Sequence, residues 1–373
     1  MNAENIEKIE TQIIDLPLKR IHKFSATTIN TKSFLIVRIY TNNGIMGIGE
    51  ATTPGGPWWA GEAVETIKVM IDTYLAPALI GENALQTKKL LLILSGIAAG
   101  NPFAKAALEM ALLDIKGKAL DVPVYELFGG LLRESMPVKW PLAQGDPAAD
   151  IAEAEVMMSA RLAQEFKVKM GYMNPDDDVK YITQILEGLD GRAPLCGDLN
   201  ASWNEINTQK YLPVLIGEGL DMLEQPVAAW NKQAMARIRQ TSTIPILADE
   251  AVCTPQDVNE INTCAAADML SLKFAKSGGL YATQHLAQLA DAYGISCFAG
   301  TFLESSIGTS AFMHLAATQG NIDGGSELIG PIWLADDIVQ KPVTYKDNHV
   351  WVKHEAGLGV SLDEDKIIHY QRK

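Results

Sequence analysis

The amino-acid sequence predicts an α/β protein: a modified (β/α) barrel of the TIM type, preceded by a smaller α+β domain. From about residue 135 onward, short apolar segments alternate with helix-like stretches, which indicates parallel βαβ units. Four segments contain the charged residues Asp198, Glu224, Asp249 and Lys273, which follow one another at intervals of 26, 25 and 24 residues. Each interval accommodates one strand, one helix and two loops. The four side chains are therefore predicted to meet at one mouth of a barrel.

The first third of the chain reads as strands followed by helices and is predicted to form the α+β domain, residues 1–131. The stretch "KSFLIVRIYTNNGIMGIGEA" contains two strands joined by a turn from Asn42 to Gly44, which is a hairpin signal. Asn101 as N-cap and Pro102 at the first helical position then begin a long helix with apolar residues at roughly helical spacing.

The predicted barrel, residues 132–345, contains seven recognisable strand segments. They are "FKVKM", "APLCGDLN", "LDMLEQP", "IPILADE", "DMLSLKFAKSGG", "ISCFAGTFLES" and "GSELIGP". An eighth strand is predicted within "MPVKWPLA", Met136 to Ala143, because a barrel of this type has eight strands. The competing fold is an open doubly wound sheet, which normally has a Gly-rich phosphate loop after its first strand. The sequence contains neither G-x-G-x-x-G nor G-x-x-x-x-G-K-[ST].

The composition argues against two classes of partner. The 373 residues include 31 Lys and Arg against 45 Asp and Glu, a formal charge of -14, so the overall field repels nucleic acid and anionic membrane surfaces. The amino terminus lacks the basic-then-apolar order of a signal peptide, and no apolar run approaches the roughly 20 residues that span a bilayer. Four separated cysteines predict neither a disulfide framework nor a zinc site. We therefore expect a cytoplasmic protein.

Asp198, Glu224 and Asp249 are the predicted metal ligands. Three carboxylates at the ends of successive strands repel one another, and burial raises the cost of ionising each of them. A divalent cation removes that penalty, and oxygen ligands select a hard ion, here Mg²⁺ or Mn²⁺. The structural alternative is that each acidic residue ends its strand only to cap the helix that follows. The regular spacing of all three favours the metal site.

Three lysines are predicted to flank the metal. Residues two apart in a strand face the same way, so Lys167 and Lys169 in "KVK" point to one place, whereas Lys273 belongs to the strand after Asp249. We expect Lys167 and a nearby metal ion to lower the pKa of Lys169 toward the range of a general acid or base. The alternative is a pair of surface lysines with their ammonium groups in water.

A divalent ion between opposed lysines suits one chemical step, the transfer of a proton to or from the carbon next to a carboxylate. The proton on such a carbon is weakly acidic, so the metal must stabilise the enediolate as it forms. Two lysines can reach the two faces of that carbon.

Motifs spread over nearly the whole chain are highly specific in combination. They are "AKAALEMALLDIKGKALDVPVYELFGG", "KVK", "GDLNASW", "LEQP", "ILADE", "LKFAKSGG", "GTFLESSIGT", "SELIGP" and "GLGVSLDEDK". Together they resemble the enolase superfamily, and within it the muconate-lactonising (muconate cycloisomerase) subgroup. The resemblance implies an enolase-like barrel over residues 132–345 and a capping domain over residues 1–131, with the C-terminal segment 346–373 packing back on that domain.

The resemblance implies cycloisomerisation of cis,cis-muconate, or of a chloromuconate, to a muconolactone in aromatic (catechol) catabolism. Asp198, Glu224 and Asp249 are implied as ligands of Mn²⁺ or Mg²⁺. Lys169 is implied as the acid–base residue, with Lys167 as its electrostatic neighbour. Lys273 is implied to lie across the substrate and Glu327 to hydrogen-bond a substrate carboxylate oxygen. Related cycloisomerases assemble as homo-oligomers, often octamers.

Substrate choice in this superfamily rests largely on capping-domain loops, here "KRIHKFSATT" and "ATTPGGPWW". His22 is either a contact for the distal substrate carboxylate or a surface loop histidine, and Trp58 with Trp59 either forms an apolar lid or packs the domain seam. The remaining predicted substrate contacts are Pro54, Asn200, Thr301 and Ile329. Pro54 stands where a branched aliphatic residue is usual, and Ile329 where phenylalanine is usual. A smaller residue at 329 is a feature of chloromuconate cycloisomerases, which leaves a chlorinated substrate open.

Two alternative functions remain at this level. N-acylamino-acid racemases, dipeptide epimerases and o-succinylbenzoate synthases are similar in their lysine and carboxylate pattern. A two-base racemase needs Lys169 and Lys273 to transfer protons, whereas a cycloisomerase needs only one of them. A non-catalytic metal-binding barrel scaffold is the remaining alternative, and the presence of every expected ligand and lysine argues against it.

Overall fold

The structure is a computed structural model that describes residues 3–373, so the first two residues of the predicted capping domain lie outside the described part. The strands of the described part are β1 (Ile6–Lys23), β2 (Thr28–Thr41), β3 (Met46–Thr52), β4 (Ser135–Pro137), β5 (Lys139–Leu142), β6 (Glu165–Lys169), β7 (Leu195–Asp198), β8 (Met222–Glu224), β9 (Ile246–Ala248), β10 (Met269–Leu272), β11 (Ser296–Ala299), β12 (Thr344–Lys346) and β13 (His349–Trp351). Its α-helices are α1 (Val64–Met70), α2 (Thr87–Ile97), α3 (Pro102–Leu120), α4 (Pro147–Ser159), α5 (Pro175–Leu189), α6 (Glu205–Gly217), α7 (Lys232–Thr241), α8 (Pro255–Cys264), α9 (Phe274–Ser277), α10 (Leu280–Ala292), α11 (Ser306–Ala316), α12 (Gly330–Trp333) and α13 (Glu364–Tyr370).

The N-terminal sheet is antiparallel, in the order β1-β2-β3, and α3 packs against β3. The predicted hairpin is confirmed: β2 and β3 pair along their length, and Gly44 at the turn has φ 83°. Two glycines of β3 allow the helix to approach closely. A Cβ atom at Gly47 would lie 2.1 Å from the Ala111 carbonyl oxygen, and one at Gly49 would lie 2.1 Å from the Ala107 carbonyl oxygen. Larger residues would therefore separate the sheet from α3.

The helix α3 begins at Pro102 as predicted, but its capping differs from the prediction. Asn101 has a left-handed backbone, φ 52°, and its side-chain amide donates to the Ala99 carbonyl instead of capping the helix. The Glu62 carboxylate accepts the free backbone N–H of Phe103 at 3.3 Å and takes over that role. Within residues 3–373, none of the helices is both long enough and apolar enough to span a membrane.

The barrel sheet contains seven parallel strands in the order β5 to β11, and "MPVKWPLA" does contain one of them, β5. Six of the seven recognisable segments form strands. The seventh, "GSELIGP", is shorter than predicted, because it contributes only single bridges from Ser326 to Val138 and to Ala299. Those bridges link the edges next to β5 and β11 and close the sheet. The predicted enolase-like barrel with an N-terminal α+β domain is thus confirmed.

Buried polar contacts join the N-terminal sheet and its helix to later parts of the chain. Glu109 on α3 is fully buried and accepts the backbone N–H groups of Leu280 and Tyr281 at the start of α10. At the C-terminus, Arg372 returns to β1, where its side chain pairs with Asp15 at 2.7 Å and its backbone N–H donates to the Ile13 carbonyl at 3.0 Å. The last residues of the chain therefore pack on the first strand.

The buried His314 on α11 is expected to make the free energy of unfolding depend on pH. Its Nε2 lies 3.2 Å from the Leu358 carbonyl oxygen, and burial lowers the pKa of the imidazole to about 4. Between pH 4 and the usual value of about 6.5, the unfolded chain binds a proton at this position that the folded chain does not. The free energy of unfolding is therefore expected to fall as the pH falls through this window, by about 3 kcal/mol at pH 4.

Urea unfolding of the wild type and of His314→Gln between pH 4 and pH 7 measures this effect. Glutamine retains a donor for the Leu358 carbonyl and does not titrate, so the variant is expected to lose less stability on acidification. An identical pH dependence in both proteins would contradict the assignment to His314.

Candidate active site

The predicted carboxylates lie together at the carboxyl ends of neighbouring barrel strands. Lys169 on β6 is in register with Asp198 on β7, and Asp198 is in register with Glu224 on β8. Glu224 pairs with Leu247, so Asp249, two residues further, points to the same side just beyond β9. All three carboxylates are buried. The register of parallel strands is thus what brings these distant positions to one mouth.

Both lysines of "KVK" are buried and paired with carboxylates. Lys169 Nζ lies 2.5 Å from Asp198 Oδ2. Lys167 Nζ lies 2.6 Å from Glu224 Oε2 and 2.6 Å from Glu327 Oε2. These contacts join the segment between α11 and α12 to the ends of β6 and β8. The reading of these lysines as solvated surface residues is therefore wrong.

The opposite side of the mouth has a second pair of lysines. Asp249 Oδ2 lies 2.6 Å from Lys273 Nζ, and its Oδ1 lies 2.7 Å from Lys276 Nζ. Lys276 also donates to the carbonyl oxygens of Asp249 and Ser271, so all three of its N–H donors are engaged. Lys273 instead faces the rings of Phe302 at 4.9 Å and Trp59 at 5.3 Å.

Two residues at this mouth were not identified from the sequence, Lys276 and Glu250. Both stood inside quoted motifs, "LKFAKSGG" and "ILADE". The available signal was their spacing: Glu250 directly follows Asp249, and Lys276 lies one helical turn after Lys273 on the short helix α9. Burial, together with the neighbouring charges of Asp249 and Asp198, raises the pKa of Glu250 to about 8.

The expected lowering of the Lys169 pKa is not seen in this arrangement. Burial lowers the pKa of Lys169, and Lys167 lowers it further, as predicted. The carboxylates of Asp198 and Glu327 outweigh both effects, so the pKa of Lys169 lies above its usual value. With these lysine–carboxylate contacts, Lys169 therefore holds its proton at neutral pH. The expectation took no account of the direct contact with Asp198, and its part that concerns the metal ion stays a prediction.

The residues at the mouth fit a divalent cation by their donor set. Glu224 is fully buried, and neither of its carboxylate oxygens has a hydrogen-bond partner of acceptable geometry among the described residues, although Oε2 touches Lys167. Burial and the neighbouring Asp198 and Asp249 raise the pKa of Glu224 to about 7, against the opposing effect of Lys167. Buried oxygen donors without partners are what a hard cation requires.

Lysine ammonium groups contact all three predicted metal ligands. Within residues 3–373, no three His, Cys, Asp or Glu side chains already converge on one point as ligands. If Asp198, Glu224 and Asp249 hold an ion, as predicted, its binding would exchange some of the lysine contacts on these carboxylates. The charge on the ion would compensate for the contacts given up.

A small cavity lies beside the lysines and has a volume of about 20 Å³, enough for about one water molecule. Its lining includes four of the predicted substrate contacts, His22, Pro54, Asn200 and Thr301, together with Lys169, Lys273 and Glu327. A six-carbon diacid requires more room, so side chains must move when it binds. Ile329, the remaining predicted substrate contact, is not among the residues that line this cavity. Its side chain is buried, and its backbone N–H donates to the Glu327 carbonyl.

The position of His22 corrects the reading of this residue as a surface loop histidine. His22 lies in β1 and is 1% exposed, with its ring centroid 4.5 Å from that of Phe24 and 4.9 Å from that of Trp333. Burial lowers the pKa of His22 well below its usual value, and the charges of Arg20 and Lys169 lower it further. The imidazole is therefore neutral. Most of "KRIHKFSATT" belongs to strands, and the loop is limited to residues 24–27.

Two protein-family models match the chain. Residues 8–129 match "Mandelate racemase / muconate lactonizing enzyme, N-terminal domain", and residues 149–366 match "Enolase C-terminal domain-like". The chain belongs to the mandelate racemase/muconate lactonizing enzyme family. This confirms the assignment to the enolase superfamily and, with the relatives below, to its muconate-lactonising subgroup. Cycloisomerases of this superfamily depend on a divalent metal ion.

Relatives of known activity are similar over the full length of the chain. A chloromuconate cycloisomerase of Cupriavidus pinatubonensis (strain JMP 134 / LMG 1197) is 42% identical over 96% of this chain and 97% of its own length. Muconate cycloisomerase 1-1 of Acinetobacter lwoffii is 40% identical over 100% of this chain and 98% of its own. The crystal structure of a muconate lactonizing enzyme from Pseudomonas fluorescens, complexed with muconolactone, has a TM-score of 0.97 at 40% identity and covers all of both chains.

Proposed function

We propose that the protein is a metal-dependent cycloisomerase that converts cis,cis-muconate, or a chloromuconate, to a muconolactone. The observation that carries the proposal is the buried mouth of the barrel, where Lys169, Lys273 and Glu327 line one small cavity next to three carboxylates. Similarity at about 40% identity to muconate and chloromuconate cycloisomerases, over essentially the whole chain, bears out the predicted isomerase class.

Asp198, Glu224 and Asp249 are the residues that would hold the ion, Mg²⁺ or Mn²⁺. When bound, the ion supplies positive charge that stabilises negative charge as it develops on a substrate carboxylate. The second carboxylate of the substrate adds to a double bond and closes the lactone ring. The electron pair of that bond moves toward the adjacent carbon and its carboxylate.

Lys169 then completes the reaction as the general acid. Its ammonium group lines the small cavity and carries the proton that the adjacent carbon needs. The C–H bond forms as the N–H bond breaks, and the resulting amine regains a proton from water. Lys273, on the other side of the cavity, contributes positive charge toward the dianionic substrate.

Lys167 and Glu327 are proposed to act as a pair. Lys167 is 1% exposed and bridges Glu224 and Glu327, and it does not line the cavity in the described part of the chain. Glu327 does line it, and we propose that it donates a hydrogen bond to a substrate carboxylate oxygen, which requires a proton on its carboxyl group in that complex. Lys167 therefore positions Glu327 without contacting the substrate.

Loss of the conjugated-diene absorbance of cis,cis-muconate tests the proposal. Purified protein with Mn²⁺ is expected to remove this ultraviolet absorbance, and EDTA is expected to abolish the reaction. Parallel assays with 2-chloro- and 3-chloromuconate rank the substrates, because Pro54 and Ile329 leave the choice between plain and chlorinated muconate open. No metal-dependent change with any of the three substrates would overturn the cycloisomerase proposal.

The racemase alternative keeps one supporting observation, since Lys169 and Lys273 both line the small cavity. Solvent deuterium exchange into an N-acylamino acid or a dipeptide, measured by mass spectrometry, separates the two functions. A two-base enzyme is expected to exchange the α-proton of both enantiomers, whereas a cycloisomerase is expected to leave such compounds unlabelled.

Three further features stay predictions. They are the division into a capping domain (1–131, with 346–373 packed on it) and a barrel (132–345), assembly as a homo-oligomer, and a cytoplasmic location. The contact of Arg372 with Asp15 and the bridge of Gln371 to Ile14 support the return of the C-terminal segment to the N-terminal sheet.

A further inference from the structure

Trp59 separates the small cavity from a much larger one. The large cavity has a volume of about 1010 Å³ and is lined by residues of the N-terminal part, such as Trp58 and Phe103, and of the barrel, such as Lys276. Trp59 and Asn200 line both cavities. Trp59 comes from the segment after β3, residues 53–61, and Asn200 comes from the loop after β7. These two side chains therefore form a common wall between the cavities.

One carboxylate oxygen holds both parts of this wall. Trp59 Nε1 donates to Glu250 Oε1 at 3.0 Å, and Asn200 Nδ2 donates to the same atom at 3.2 Å. The indole has a single N–H, so this bond is the only hydrogen bond that its ring can donate. The rest of its environment is aromatic and cationic, with the Phe302 ring centroid at 4.8 Å and Lys273 Nζ at 5.3 Å.

We propose that Glu250 is a positioning residue that acts through Trp59 and Asn200. Its carboxyl group fixes the indole across the small cavity, over Lys273, and fixes the Asn200 amide next to it. Without this shared acceptor, the ring of Trp59 is free to turn into the large cavity, which has ample room for it. The wall then no longer separates Lys273 from the solvent of the large cavity.

Displacement of the wall is expected to weaken substrate binding and to admit water to the small cavity. Trp59 and Asn200 line the small cavity, so their displacement removes part of the surface that encloses the substrate. An open wall also admits water to a site where charge interactions depend on its absence. For this kinetic consequence, the inference rests on the proposed cycloisomerase activity.

A double-mutant cycle tests the inference. With Mn²⁺ saturating, Glu250→Leu is expected to lower kcat/KM about tenfold, mainly through a higher KM, as expected for loss of the hydrogen bonds that Trp59 and Asn200 donate to Glu250. Trp59→Phe, which keeps a ring without the N–H, is expected to have a similar effect, and the double variant should be little worse than either. Glu250→Gln, which keeps the acceptor oxygen, is expected to retain most of the activity.

A second measurement does not depend on any substrate. Chymotrypsin cleavage after Trp58, quantified by mass spectrometry, reports opening of the segment 53–61. Cleavage is expected to be about tenfold faster in Glu250→Leu and near the wild-type rate in Glu250→Gln. Trp140→Phe is the matched control, because it removes an indole hydrogen bond to a carboxylate, Glu153, away from this segment and from the loop that contains Asn200. Its cleavage rate after Trp58 is expected to stay unchanged.

Several results would overturn the inference. If Glu250→Gln were as impaired as Glu250→Leu, the charge and not the acceptor geometry would matter. Additive losses for Glu250→Leu and Trp59→Phe would mean that Glu250 does not act through Trp59. A loss of Mn²⁺ affinity large enough to explain the kinetics would assign Glu250 to the metal site. If the wild type lacked cycloisomerase activity, the proposed function would fail, and the cleavage rates would still decide on the wall.

Discussion

Replacing Lys169 with alanine is expected to lower kcat for cis,cis-muconate by about 10²–10⁴-fold, the range for loss of a positioned general acid. The substrate carboxylate can still add to the double bond, but the adjacent carbon then lacks its proton donor. Mn²⁺ binding is expected to persist, because the variant releases Asp198 Oδ2 from its contact with the lysine ammonium. Stopped-flow absorbance at saturating substrate gives kcat, and a titration with Mn²⁺ gives the affinity for the metal.

Lys139→Met is the matched control for this change. Lys139 is also a buried lysine on a barrel strand, but it lies at the start of β5, near Glu165, and lines a cavity at the opposite end of the barrel. Its replacement is expected to change stability without a comparable loss of kcat. If Lys169→Ala kept a kcat near the wild type while Lys273→Ala lost it, the two lysines would have to exchange their proposed roles.

The arrangement of backbone elements followed from the sequence because it depends on periodic patterns. Alternating strand and helix signals with intervals of 24–26 residues placed Asp198, Glu224 and Asp249 at the ends of adjacent strands, and the observed register matches. The length of one strand was overestimated from the sequence. "GSELIGP" reads as a strand, but only Ser326 forms bridges, because the segment fills the gap between two edges and extends neither.

The side-chain contacts did not follow from the sequence, because they depend on distances within the folded barrel. Alternation predicted that Lys167 and Lys169 share a face, but not that one binds Glu224 and Glu327 while the other binds Asp198. That pairing reverses the expected direction of the Lys169 pKa. Glu62 at the start of α3 is a similar case, since nothing local to Asn101 indicates a cap from 39 residues earlier in the chain.

The charge balance at the mouth explains how a dianionic substrate enters a protein with a formal charge of -14. Five carboxyl groups meet four lysines there: Asp198, Glu224, Asp249, Glu250 and Glu327 with Lys167, Lys169, Lys273 and Lys276. With Glu250 uncharged near neutral pH, as its raised pKa of about 8 implies, and the other groups ionised, this set has a formal charge of 0, and a divalent ion would change it to +2. The ion would thus convert a mouth without net charge into one that attracts a dicarboxylate.

Glu224→Gln is expected to abolish this conversion and with it the metal-dependent activity. Glu224 is buried, and its Oε1 has no hydrogen-bond partner among the described residues, so its amide analogue should weaken Mn²⁺ binding by at least about 100-fold. Isothermal titration calorimetry with Mn²⁺ measures the affinity, and the diene assay measures the activity. Glu218→Gln, an exposed change at the end of α6, is the control and is expected to leave both quantities unaltered.

The stability of the same variant in EDTA separates a metal ligand from a purely structural carboxylate. Because the folded-state pKa of Glu224 is raised to about 7, ionisation of this group lowers the free energy of unfolding as the pH rises through that value. Glutamine removes the ionisation, and Lys167 keeps its contact with Glu327 at 2.6 Å. Above pH 7 without metal, the variant is therefore expected to be at least as stable as the wild type. A large destabilisation in EDTA, together with unchanged Mn²⁺ affinity, would mean that Glu224 serves the fold and that the ion binds elsewhere.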